Sequence, residues 1–199
     1  MSQISDAFED LAHGLRILME ANYNAQSGLL QVDRAEAVGN IENALGGVLN
    51  AFSSLYDAMD KADMSRVLNW YTTPELATIL VLRNARHHNH ARKIRTMYSY
   101  YAQEAKKIGS MEMYILVDFK PEAEDATTFD AYQSWADLKT LFAVPRKETF
   151  IREKTEKLVR EYLRTGKFAQ YAARYDLTED RVFFNTVPLL VNAVSKVSK

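Results

Sequence analysis

The chain has 199 residues, 47% of them apolar and 26% charged, and no cysteine. This composition suits a folded core and excludes disulfides, thiolate metal sites and a cysteine nucleophile. No run reaches the ~18 consecutive apolar residues that span a bilayer, and the opening MSQISDAFEDLAHGL lacks the basic start and apolar core of a signal peptide, so a cytoplasmic protein with no membrane partner is expected. The formal net charge of −1 conceals an asymmetry. Residues 1–65 carry ten acids against three bases, whereas residues 66–109 carry eight bases against two acids. Either the two segments pair within the fold or the basic one forms a surface for a polyanion.

Taken in chain order, Ile4, Phe8, Leu11, Leu15 and Leu18 recur at helical spacing and predict a first helix over 4–24. A break at Gln26-Ser27-Gly28 leads to a second helix from about Asp33 to Lys61, with a seam of Val38, Ile41, Leu45, Val48, Leu49, Phe52, Leu55 and Met59. Gly46 and Gly47 weaken that helix but let another group come close to its backbone. Thr73-Pro74-Glu75 is the strongest helix start in the chain, with a capping threonine, a proline at the first position and an acid facing the dipole. Nothing stops that helix before Ile108-Gly109, so one long basic helix is expected.

Residues 111–119, MEMYILVDF, are aromatic and β-branched, the pattern of a short strand or hairpin. Helices then follow over about Phe129–Ala143, Lys147–Arg164, Lys167–Tyr175 and Thr178–Val197, the last kinked or divided by Pro188. The expected fold is all-α, a helical bundle over residues 1–145. Residues 146–199 form a C-terminal helical extension or complete the same domain.

Three of the four histidines fall within four positions of Arg83-Asn84-Ala85-Arg86-His87-His88-Asn89-His90. On a helix Asn84 and His88 share one face, and Arg83, His87 and His90 share a second. Arg83 and His88 stand about 140° apart around the axis, a gap that a long arginine side chain can bridge. Such residues suit phosphodiester cleavage without a metal. Arginine grips phosphate through a forked pair of hydrogen bonds and stabilises developing charge. Histidine exchanges a proton with the 2′-hydroxyl or the leaving oxygen near neutral pH, and asparagine orients the imidazole or holds phosphate.

Arg83-Asn84-Ala85-Arg86-His87-His88 resembles the R-N-x-x-x-H signature of HEPN domains, and the basic, histidine-rich run after it looks like their abortive-infection branch. The resemblance implies a helical bundle acting as a metal-independent endoribonuclease in a toxin or phage-defence role. It implies a homodimer with a shared cleft, RNA as substrate and an antitoxin protein as partner. It assigns phosphate binding to Arg83, support of the site to Asn84 and the catalytic imidazole to His88, with Arg86, His87, His90, Arg92, Lys93 and Arg95 as the RNA-binding set. An acidic partner on a neighbouring helix, as in some relatives, falls to Glu42 or Asp57. Relatives paired with a nucleotidyltransferase antitoxin carry tyrosine two residues after the histidine, where this chain has His90. No metal or cofactor is expected, because imidazoles at His87 and His90, even with His13, lack a neighbouring carboxylate.

Two other patterns compete. The same basic helix could serve a non-catalytic module that holds nucleic acid, a nucleotide or an acidic protein. Residues 168–182 have the cadence of a helix-turn-helix, but the second helix, Glu179-Asp180-Arg181-Val182-Phe183-Phe184-Asn185, opens on acids that repel phosphate and reads as a core hairpin. Tyr98, Tyr100 and Tyr101 either stack on bases or fill a buried face.

Overall fold

Gly28 takes a left-handed φ of 126° where the first helix must turn back on the second. In the computed structural model, which describes residues 3–64, 67–88, 95–97, 113–122, 129–149 and 151–198, helix α1 spans Gln3–Asn24, and a π-helical turn (Ala25–Leu29) with one helical turn α2 (Leu30–Val32) reverses the chain. Asp33 then caps α3 (Arg34–Lys61), its side chain accepting the Glu36 N–H at 2.9 Å. The two long helices pack as an antiparallel hairpin. Leu11 and Leu18 of α1 and Ile41, Leu45, Val48 and Phe52 of α3 lie buried in the core. Gly14 permits the approach, since a Cβ there would stand 3.5 Å from the Val48 side chain.

Helix α4 (Pro74–His88) begins at Pro74, although Thr73 Oγ1 donates back to Asn69 O at 2.8 Å instead of capping. It is the central helix of the bundle, buried at Leu76, Ala77, Ile79, Val81, Leu82 and Ala85. Its neighbours are α3, α5 (Trp135–Ala143), α6 (Arg146–Thr149), α7 (Glu153–Tyr162) and α9 (Val187–Val197). The single unbroken helix expected up to Gly109 does not form. Arg95 and Thr96 are extended, with Thr96 bridged to Gln133 and the Ser134 N–H donating to Arg95 O at 3.0 Å.

The fold is mostly helical with a small three-stranded sheet in the order β1-β3-β2. Strand β1 (Ile115–Val117) falls inside the expected 111–119 segment and runs parallel to β3 (Val182–Asn185), with Ile115 opposite Val182. Strand β2 (Tyr132–Ser134) pairs antiparallel to β3 on its other edge. Both β2 and β3 were expected as helix. The helix over 129–143 instead starts at Trp135, capped by Ser134, whose hydroxyl accepts the Asp137 N–H at 3.3 Å. Every residue of β3 is buried, as a central strand covered on both faces requires. Pro188 sits in the first turn of α9 and kinks nothing. The segment 147–164 also divides, into α6 and α7.

Residues 168–182 are not a helix-turn-helix. After α8 (Phe168–Arg174) comes a single 3-10 turn, Glu179–Arg181, and then the strand, so no second helix exists to enter a groove. Val159, Leu163, Phe168, Phe184, Leu189 and Leu190 belong to the same continuous core as Leu45, Phe52 and Leu76. The C-terminal elements therefore share their hydrophobic core with the helices before them. Among the described residues no helix is long and apolar enough to cross a membrane.

Candidate functional site

Helix α4 is wholly buried from Glu75 to Ile79, but Arg83, Asn84 and Arg86 emerge near its end as half-buried polar residues. Opposite them α3 presents a face without bulk: Asn43, Gly46, Gly47 and Asn50, spaced three and four apart. Together with Leu49 they and the two arginines line an open cleft of about 410 Å³.

Arg86 crosses from α4 to α3 and donates from Nη2 to the Glu42 carbonyl at 2.9 Å. Glycine at position 46 makes that contact possible. A Cβ there would stand 3.1 Å from Arg86 Nη2 and 3.4 Å from Nε, so any side chain pushes the guanidinium away. Burial lowers the Arg86 pKa from its ordinary value, and the Glu42 carboxylate opposes part of that shift. An arginine so placed still carries its charge at neutral pH. Arg83 Nη1 lies 3.5 Å from Asn84 Oδ1, at the outer limit of a hydrogen bond.

Arg83 Nε and Arg86 Nη1 are covered and have no hydrogen-bond partner among the described residues. A covered donor left unmatched costs about 1–3 kcal/mol, more when it is charged. Two guanidiniums beside a cleft lined by no acid among the described residues give that cleft a positive wall.

The charge of the other cavities sets this one apart. The cavity along α7, about 670 Å³, carries both signs, with the pairs Arg146–Glu153, Arg160–Glu156 and Lys157–Glu161 beside Arg164 and Lys167. The groove between α1 and α3, about 400 Å³, holds Glu20 and no cation. A fourth, about 280 Å³, mixes Asp118 with Lys120 and Arg164.

The structure treats the sequence-derived site residues unequally. Arg83 and Arg86 come together at the cleft, and Asn84 stands beside Arg83. His87 and His88 are the last two residues of α4, described through their backbone; His87 continues the face of Arg83, and His88 continues that of Asn84. His90, Arg92 and Lys93 lie outside the described residues, as do Tyr98, Tyr100 and Tyr101.

Arg95 leaves the RNA-binding set. It is 7% exposed, and Asp137, itself 3% exposed, accepts from its Nε at 2.9 Å, its Nη2 at 2.8 Å and its backbone N–H at 2.9 Å. A phosphate reaching Arg95 would have to displace that buried carboxylate. Of the two acids considered as partners on a neighbouring helix, Glu42 is the one whose charge reaches Arg86. Sequence reasoning did not identify the α3 wall. Its signal was available in the run of Gly39, Asn40, Asn43, Gly46, Gly47 and Asn50, which returns small or amide side chains to one helix face.

Compared with known families, with curated proteins and with solved structures, the chain matches none.

Proposed function

We propose that this chain is a metal-independent endoribonuclease of HEPN type, and that the RNA phosphodiester binds at the Arg83–Arg86 end of α4. The observation that carries the proposal is the pair of arginines with unmatched guanidinium donors beside a cleft lined by no acid among the described residues, at the motif that the sequence singles out. Arg83 takes the non-bridging phosphate oxygens and stabilises the charge that grows on them. Its lean toward Asn84 brings the guanidinium toward the face that His88 continues one turn later. His88 exchanges the proton: the 2′-oxygen attacks phosphorus, the bond to the 5′-oxygen breaks, and the products are a 2′,3′-cyclic phosphate and a 5′-hydroxyl. As a toxin or phage-defence enzyme it would act on RNA in the cytoplasm. It would do so as a homodimer whose partner completes a sparse site, restrained by an antitoxin protein.

A second proposal, a non-catalytic binding module for nucleic acid, a nucleotide or an acidic protein, is favoured by the offset of about 140° between Arg83 and His88 around α4. Cleavage of RNA in EDTA separates the two. The enzyme leaves cyclic-phosphate ends, loses binding and cleavage together with Arg83→Ala, and loses cleavage alone with His88→Ala. RNA binding without cleavage, unchanged by His88→Ala, supports the module. Cleavage untouched by either substitution removes both from this helix.

A further inference from the structure

The cleft holds more than a phosphate needs. An anion site is satisfied by Arg83 and Arg86, yet the α3 wall beside them runs over two helical turns, from Asn43 to Asn50, about 10 Å along the axis. Between the two carboxamides Gly46 lies under the Arg86 guanidinium, and Gly47 is bare. At Gly47 nothing lies within 4 Å of where a Cβ would stand, so a flat group can rest directly on the peptide backbone. Leu49 adds an apolar edge, and no acid lines the cleft among the described residues. Its volume, about 410 Å³, falls in the range of small-molecule sites.

Taken together, the α4 side is cationic, the backbone at Gly47 is flat and unhindered, and Asn43 offers a carboxamide with a donor and an acceptor. We infer that the cleft is a nucleotide subsite, with the phosphate on Arg83 and Arg86, the base over Gly47, and its edge read by Asn43. The inference rests on the proposal that Arg83 binds RNA phosphate, and it adds a base to that phosphate. Adenine is the preferred base, since a carboxamide matches its adjacent acceptor and amino group with two hydrogen bonds at once. The cleaving enzyme would therefore favour an adenosine on the 3′-phosphate side of the bond it breaks.

The test is calorimetric titration of the full chain with adenosine 3′-monophosphate, inorganic phosphate, adenosine and cytidine 3′-monophosphate. Gly47→Leu fills the floor at an open helical position where leucine is also the better helix former. Gly39→Leu is the control, two turns away on the same helix and equally open. Adenosine 3′-monophosphate is expected to bind about tenfold more tightly than phosphate or adenosine alone, and Gly47→Leu to remove that advantage while Gly39→Leu keeps it. Equal binding of phosphate and nucleotide, or a nucleotide affinity indifferent to Gly47→Leu, overturns the subsite. Cytidine 3′-monophosphate binding as tightly as the adenosine compound overturns the choice of adenine. The two proposals fail separately. RNA cleavage that depends on Arg83 but shows no nucleotide advantage removes only the subsite. Nucleotide binding that Gly47→Leu abolishes, in a protein that never cleaves RNA, removes only the ribonuclease.

Discussion

Gly46 is where stability and function pull apart. A glycine inside a helix costs roughly 0.5–1 kcal/mol relative to alanine, and Gly46 sits in the middle of α3. Its absent side chain is what admits the Arg86 guanidinium to the Glu42 carbonyl. Gly46→Ala gains the helix propensity and forces Arg86 to give by a few tenths of an ångström, weakening a hydrogen bond worth about 0.5–1.5 kcal/mol net. The two effects nearly cancel. The melting temperature of Gly46→Ala is therefore expected to stay close to that of the wild type while its affinity for RNA falls. A variant that melts several degrees lower would mean that Arg86 anchors α4 to α3. Unchanged RNA affinity would take Arg86 out of the site.

At the scale of elements, one residue joins strand to helix and a second ties down the segment beyond α4. Ser134 ends β2 and caps α5, and Asp137 in the first turn of that helix holds Arg95 through Nε and Nη2 of its guanidinium and through the backbone. Removing one partner of a buried pair leaves an uncompensated charge and costs about 3–5 kcal/mol. Asp137→Ala is expected to lower the unfolding free energy from denaturant titration by an amount of that order, and Arg95→Met combined with Asp137→Leu to recover most of it. A single variant as stable as the wild type would contradict a buried, matched pair. The helices α1 and α3 were legible in advance because they repeat their apolar positions over several turns. Strands β2 and β3 were not, since three or four residues are too few to show a period of two. The run Val182-Phe183-Phe184 fits a buried helix as well as a central strand until its partners are known. Pro188 has the same ambiguity: a proline at a helix start and one inside a helix look alike when the strand before it goes unrecognised.

Across the whole molecule, the site depends on two helices that meet only in three dimensions. Arg83, Asn84 and Arg86 stood out in the sequence because arginine, asparagine and histidine crowd one short run. The opposing wall did not, because asparagines and glycines on a long helix announce nothing until α4 is laid against them. The charge asymmetry also resolves only in the fold. Among the described residues Arg83 and Arg86 make no ion pair with the acids of residues 1–65, and Arg95 turns to Asp137 instead. The basic end of α4 thus keeps its charge unanswered by those acids. The central claim, that this arginine pair receives an RNA phosphodiester, is tested most directly by following arginine Nε–H resonances during titration with a 2′-O-methylated oligoribonucleotide. That RNA can bind but cannot be cleaved through its 2′-oxygen. The signals of Arg83 and Arg86 should shift and exchange more slowly with water while that of Arg95 stays fixed. RNA that binds with the Arg83 and Arg86 signals unmoved would contradict the claim.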